Sequence, residues 1–354
     1  MKKELLIGTA LVSTLGAASV AEAVTATMSG NHQTGLEFDS PTGGTDTRAQ
    51  INDNNFTVSL SETTDGGMTI SSSFMLVNES SNGGGNGDGD AGFSLAFTDG
   101  SKLDVLNAGN ASGSHDISVP GSAGAEGVTV TTSNTAPTGL DFMTASTVYG
   151  VEYHTASDFL ADGLKMSFSA STDDGSAAGA TYAVDTHMAV GGTYVTDLGD
   201  SSVTVGFGYS QTDGDKTGTQ VTSDEGGMHV GISAVTGDLT VAVGFADGDS
   251  IESQGTATND IQSDADVIKG GVKYVSGDLT FNVGFASGTS KDSTTIGTAG
   301  TTEDSQDVTS ASVSYAVASG VTAILGYTDV DSGNEGSDDT TDGSAWYIGA
   351  NMAF

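Results

Sequence analysis

The chain has no cysteine among its 354 residues, three prolines, one tryptophan and a single arginine, Arg48. Without cysteine there is no disulfide, no thiolate metal site and no cysteine nucleophile. So few prolines leave strands uninterrupted, because proline cannot donate to a β-ladder. Bases are scarce too: nine Lys and Arg stand against 46 Asp and Glu, a formal net charge of −37. Binding nucleic acid requires a basic footprint, which this composition excludes. Beyond the N-terminus no apolar run is long enough for a membrane helix. A membrane protein is still possible, since the strands of a transmembrane barrel alternate and never build such a run.

Residues 1–23 read as a cleaved secretory signal: Lys2 and Lys3 precede the apolar LLIGTALVSTLGAASV, and Ala21-Glu22-Ala23 supplies a small-x-small cleavage site. Residues 24–354 are then expected to form one domain.

The most ordered stretch lies between Gly226 and Gly288, where two hairpins of one design follow each other, Gly237 matching Gly277 and Phe245 matching Phe285. In both, one parity is large and apolar (Val230, Ile232, Val241, Val243; Ile268, Val272, Phe281, Val283). The other is small or polar (His229, Gly231, Thr240, Gly244; Lys269, Gly271, Lys273, Asn282). Strand side chains alternate between faces, so each hairpin has one greasy and one wet face. A soluble sandwich would bury the greasy face under a second sheet. A transmembrane barrel turns it to lipid and keeps the polar parity inside.

The same alternation recurs along the chain and predicts sixteen antiparallel strands, closing as an all-β transmembrane barrel with an even strand count. Short turns (TTDGG, TDGS, FLAD, TDLGDS, TGD, SGD, ASG) follow the even strands and longer connections the odd ones. A parity break at Asp53–Asn55 suggests a bulge there. Aromatics sort to the strand ends on the greasy parity. Tyr153, Tyr194, Tyr274 and Tyr315 precede short turns, and Tyr209, Phe245, Phe285, Tyr327 and Trp346 lie at the opposite ends. Two girdles of amphipathic rings suit a barrel in a bilayer and have no purpose in a soluble protein. Residues 107–144 hold Pro120 and Pro137, show little alternation and form the longest connection, of the kind that is functional or disordered.

The last strand places Trp346, Ile348, Ala350, Met352 and Phe354 on one parity and ends on Phe354. That terminal aromatic resembles the signal read by the outer-membrane barrel-assembly machinery. The RAQIN…TTDGGMTISSSF hairpin, and GFSLAFTDGSKLDVLNAG before the long third connection, are similar to those of the general outer-membrane porins of alphaproteobacteria. The resemblance implies a homotrimeric, water-filled diffusion channel of a Gram-negative outer membrane, set among lipid and lipopolysaccharide. It also implies that residues 107–144 fold inward as a constriction loop, with wall bases facing loop acids. A single arginine rules out the full basic ladder of such constrictions.

On this reading the pore-lining bases are Arg48, if Ala49 and Ile51 face out, with Lys102, Lys165, Lys269 and Lys273. The lining or constriction acids are Asp104, Glu152 and the loop residues Asp116, Glu126 and Asp141. Together they would set a transverse field at the narrowest point. The expected function is passive passage of small hydrophilic solutes and ions, with a preference for cations. His154, His187 and His229 share the lumen face, but the five histidines form no metal-binding or catalytic motif, so neither an enzyme nor a metal centre is expected. Residues 247–266 and 329–342 each carry six acids and no base. Neither Asn86, Asp88 and Asp90 nor Asp329 and Asp331 completes a calcium-loop pattern, which leaves calcium at the acidic external loops a weak expectation and a cation-attracting mouth the stronger one. The alternative is a structural or adhesive barrel whose lumen is plugged and whose acidic loops bind divalent cations.

Overall fold

The computed structural model describes residues 24–42, 44–79, 92–106, 110–122, 125, 150–172, 183–215, 222–253, 261–293, 302–334 and 342–354. Residues 1–23, expected to be a cleaved signal, lie outside these residues.

Sixteen antiparallel strands form one closed barrel in which every strand pairs with its sequence neighbours and β1 (Thr25–Pro41) pairs with β16 (Gly343–Ala353). In order between them come β2 (Thr47–Thr63), β3 (Thr69–Glu79), β4 (Phe93–Ala96), β5 (Lys102–Val105), β6 (Gly150–His154), β7 (Leu164–Thr172), β8 (Ala183–Asp197), β9 (Ser201–Asp215) and β10 (Thr222–Thr236). β11 (Leu239–Ser253), β12 (Ile261–Ser276), β13 (Leu279–Ser293), β14 (Thr302–Ala318) and β15 (Val321–Asn334) complete it. Closure leaves no edge strand to pair with another chain. The last residue completes the seam: Phe354 and Gly30 exchange backbone hydrogen bonds of 3.0 and 3.1 Å, and the Phe354 ring lies 5.9 Å from that of Phe56.

Burial follows the alternation. In β10 and β11 Val230, Ile232, Val241, Val243 and Phe245 are exposed, while His229, Gly231, Ala242 and Gly244 are buried. A soluble protein would reverse this assignment. Here the apolar side chains form the outer surface, as a lipid-facing barrel requires. All the expected girdle residues lie on that outer parity, with the Tyr327 ring tilted against that of Trp346 at a centroid distance of 4.5 Å. On the opposite face at the seam, Ile51, Ile324 and Tyr347 form a small buried cluster, and the Tyr347 hydroxyl donates to the Thr34 carbonyl at 3.1 Å.

Seven turns join β2–β3, β4–β5, β6–β7, β8–β9, β10–β11, β12–β13 and β14–β15, and each contains one glycine at positive φ: Gly67, Gly100, Gly163, Gly199, Gly237, Gly277 and Gly320. Other residues reach this left-handed region only at a cost, so these glycines fix the hairpins at one end of the barrel.

Two expectations need correction. The β1–β2 register runs without a break through Asp53–Asn55; the irregularity lies between Phe56 and Thr57 in the β2–β3 pairing, where β3 contributes an extra residue, Leu76. The run of Asn and Asp in β2 disturbs the hydropathy pattern and not the backbone. Connection lengths also alternate less strictly than the sequence suggests. Residues 42–46 between β1 and β2 are no longer than the β2–β3 turn, and β9 and β10 are joined by 216–221 alone. Backbone pairing needs no apolar side chain, so the ladders continue through polar sequence beyond the girdle and shorten what a hydropathy reading assigns to loops.

Candidate functional site

Residues 110–122 and Ala125 lie along the small and polar face of the wall and cross nine strands. The Ala111 N–H donates to Ser169 Oγ of β7 at 3.0 Å. In a single 3-10 turn, Gly113–His115, the imidazole of His115 meets Thr193 Oγ1 of β8 at 2.6 Å and Ser167 Oγ of β7 at 2.8 Å. His229 of β10 donates from Nε2 to the Ser112 carbonyl at 2.8 Å. Lys269 of β12 reaches Asp116 Oδ2 at 2.5 Å. Further on, Ser310 of β14 donates to the Gly121 carbonyl at 2.6 Å, and the Ala125 N–H donates to Thr328 Oγ1 of β15 at 2.7 Å.

Absent side chains make room for this path. A Cβ on Gly191, Gly206, Gly271 or Gly284 would overlap the backbone carbonyl of Ala111, His115 or Pro120, and one on Gly231 would come 2.7 Å from Ile117 Cβ. The wall thus carries a shallow track of glycines on successive strands. Ile117 and Val119 close over it against Ala242, the only small apolar cluster between segment and wall among the described residues. A Cβ at these glycine positions would occupy space that the segment fills, which glycine alone leaves open.

His115 is 4% exposed, and its pKa is lowered from 6.5 to about 4. Burial is the largest cause, and Lys165 adds to it, as do His154 and His229 whenever they are protonated. It therefore stands neutral near neutral pH, able to accept at one ring nitrogen and donate at the other. Beside it an open cleft of about 330 Å³ is bordered by Ser114, Ser157, Lys165, Thr193 and Val195.

The expected lining residues divide into groups. Lys102, Lys165, Lys269 and Lys273 alternate with the outward apolar residues of their strands, and two are ion-paired: Lys269 with Asp116, and Lys102 with Asp104 at 2.7 Å. Asp104 and Glu152 share the same face but are only 4% and 2% exposed, so they are built into the wall and do not meet open lumen. Arg48 is a correction. It pairs in register with Phe38, its guanidinium lies 5.7 Å over the Phe38 ring, and it belongs to the outward parity; Ile51, which had to face out for Arg48 to line the lumen, is 1% exposed on the inner side. The Asn-rich run of β2 concealed this parity. Glu126 and Asp141 lie outside the described residues. Asp329 is engaged by the Tyr327 hydroxyl at 3.0 Å. The glycine track and His115 were not expected. Gly231, Gly244, Gly271 and Gly284 fall on the wet parity of the sequence, but nothing in residues 107–144 signals what lies over them.

Residues 8–297 match the family model described as Gram-negative porin. No curated protein sequence matches the chain. Solved structures share its fold. An anion-selective porin from Comamonas acidovorans has a TM-score of 0.65 at 12% identity, covering 94% of this chain and 100% of its own. In vitro folded OmpT of Vibrio cholerae, in a trimer form, gives 0.62 at 15% identity, with 94% and 100% covered. A mutant porin of Rh. blastica gives 0.59 at 14%, with 93% and 100% covered. At these identities the likeness is one of fold. With a closed sixteen-strand barrel, an apolar outer face and a family match over most of its length, the chain belongs to the Gram-negative porin family of outer-membrane proteins.

Proposed function

We propose that the chain is a passive diffusion channel for small hydrophilic solutes and ions that prefers cations, and that residues 107–144 are its third external loop, folded into the lumen as the constriction. The observation that carries this reading is the placement of residues 110–122 and Ala125 along the polar face from β7 to β15, held by hydrogen bonds to wall side chains at both ends. A segment crossing half of a barrel in this way narrows whatever passage the barrel encloses. Cation preference is supported by charge: 46 acids surround nine bases, and two wall lysines are neutralised by carboxylates. A fixed negative surface raises the local cation concentration within about 8 Å at physiological salt. The passage involves no chemical reaction, so the functional residues are those that line and shape it.

The assembly is a homotrimer on this reading. On the outward face of β1 and β2, His32 meets Asn54 at 2.6 Å and Thr34 meets Asn52 at 2.9 Å, a polar patch amid apolar surface. Polar side chains are costly against lipid, so cover by a neighbouring protomer suits this face better. Phe354 is the residue proposed to be read by the barrel-assembly machinery, and the outer rim meets lipopolysaccharide.

A second reading, a structural barrel with a plugged lumen, draws on the same close seating of residues 110–122 and Ala125. Planar-bilayer recording of the refolded chain under a tenfold KCl gradient separates the two. Stepwise conductance with a reversal potential favouring K⁺ is expected. Conductance favouring Cl⁻ would sink the cation preference, and a folded barrel that conducts nothing would sink the channel.

A further inference from the structure

In the β5–β6 ladder Asp104 stands directly opposite Glu152, and Lys102 opposite His154. Like charges directly opposite in an antiparallel pair destabilise it, and burial adds the cost of desolvation. Both carboxylates are nevertheless buried. Lys102 offsets this in part through its 2.7 Å contact with Asp104 Oδ2, but its side chain is 42% exposed, so it can swing into solvent. Two carboxylates thus stand together in the wall, with Lys102 against Asp104.

Their atoms converge on a third group. His154 Nε2 lies 3.0 Å from Asp104 Oδ2 and 3.6 Å from Glu152 Oε1, and the three candidate ligand atoms all lie within 4.8 Å of one another. Ligands bound to one ion at about 2.0–2.2 Å stand roughly 3.0–3.6 Å apart in octahedral or tetrahedral arrangement, so two of these spacings already suit a shared ion. Each ligand is also held from behind. The Ser94 hydroxyl donates to Asp104 Oδ1 and leaves Oδ2 turned inward. Ser114 donates to Glu152 Oε1 at 2.8 Å, and Ser167 Oγ lies 2.7 Å from His154 Nδ1. With its proton on Nδ1, facing Ser167, the neutral imidazole presents the Nε2 lone pair to the two carboxylates. Such outer partners orient the ligands of protein metal sites.

We propose that Asp104, Glu152 and His154 form a binding site for one first-row divalent metal ion, of the Zn²⁺ or Mn²⁺ class, set in the barrel wall. One imidazole with two carboxylates suits these ions better than Mg²⁺ or Ca²⁺, which take all-oxygen shells. Solvent supplies the remaining positions, and Lys102 withdraws as the ion enters. Because Ser114 of the inward segment bonds Glu152, occupancy also acts on the edge of that segment. The inference rests on wall geometry and does not depend on conductance.

Equilibrium dialysis of the refolded full chain, stripped with EDTA and exposed to ZnCl₂ in excess MgCl₂, tests it. One Zn²⁺ per chain is expected, weakened about tenfold or more in Glu152→Gln and His154→Gln, both close in size to the originals. Lys102→Met, which removes the competing cation, is expected to bind several-fold more tightly. Binding that excess Mg²⁺ abolishes, or Zn²⁺ binding of equal strength in Glu152→Gln and His154→Gln, would overturn the proposal. β-Sheet circular dichroism of each variant verifies folding. Should Glu152→Gln fail to fold, His154→Gln and Lys102→Met decide the matter by their opposite shifts.

Discussion

Lys269 Nζ and Asp116 Oδ2 meet at 2.5 Å although 153 residues separate them in sequence. The contact joins β12 to the segment that crosses the wall, and it pairs one wall lysine with an acid of that segment. His229 Nδ1, 3.7 Å from Asp116 Oδ1, approaches the same carboxylate from β10.

Removing either partner exposes the other. A unit charge at about 4 Å in water is worth about 1 kcal/mol, or roughly fivefold in local ion occupancy. Lys269→Met is therefore expected to move the reversal potential toward cations, and Asp116→Asn toward anions, by up to that factor in permeability ratio. Shifts of the same sign in both variants would show that the pair does not face the conducting path.

The glycine track can be tested by filling it. Gly271→Val puts side-chain atoms where the Pro120 carbonyl sits, and overpacking of this kind costs about 1–3 kcal/mol. The segment is expected to be pushed off the wall, with lower single-channel conductance and more current noise in a barrel that still folds. Conductance unchanged from the parent would place the segment outside the conducting path.

His115 supplies a pH dependence whose sign follows from its lowered pKa. Seated, it stays neutral down to about pH 4; unseated, it would take up a proton below about 6.5. Seating is at full strength above pH 6.5 and weakens as the pH falls from 6.5 toward 4. The ionisable groups facing His115 are Lys165 from β7, His154 from β6 and His229 from β10, and positive charge on any of them opposes its protonation. Open-channel noise is expected to rise between pH 6.5 and 4 in the parent and much less in His115→Gln. Equal rises in both would remove His115 from the account.

Two turn glycines separate backbone strain from collision. At Gly277, with φ of +60°, a Cβ would meet nothing within 4 Å, whereas at Gly163, with φ of +80°, it would overlap the Val195 carbonyl oxygen. Gly277→Ala is expected to cost about 1 kcal/mol in urea unfolding from left-handed strain alone. Gly163→Ala should cost at least about 1 kcal/mol more, and similar costs would refute the steric argument.

Most of the barrel was legible because alternation and girdle residues are strictly periodic: Tyr274, Phe245 and Phe285 lie where their parity puts them. Legibility failed where periodicity did. In β2, Asn52, Asn54 and Asn55 blur the faces, and Arg48 was placed inward although its register partner is the outward Phe38. Asp104 and Glu152 share the parity of Lys102 and His154, but their surroundings include Ser94, Ser114 and Lys102, which come from three separate stretches of chain. The K-x-D of Lys102 and Asp104 and the E-x-H of Glu152 and His154 become one cluster only when β5 and β6 are paired in register, and no local motif announces that pairing.

The ladder of β11 and β12 does not stop at the girdle. It runs on past Phe245 to Glu252, with outward Asp247 opposite Asp266 and Asp249 opposite Asp264. At about 3.3 Å per residue this adds roughly 20 Å of rigid strand beyond the aromatic ring, more than two screening lengths at physiological salt. Its outer acids are thereby carried on a turret beyond the girdle, whereas Asp266 stands only three residues, roughly 10 Å, from Lys269 on β12. Ionic strength then acts on the two regions unequally: salt screens the dispersed acids of the turret, and it weakens less a pair in direct contact at 2.5 Å. Dilution is expected to strengthen cation accumulation around the turret acids more than it strengthens the Lys269–Asp116 pairing.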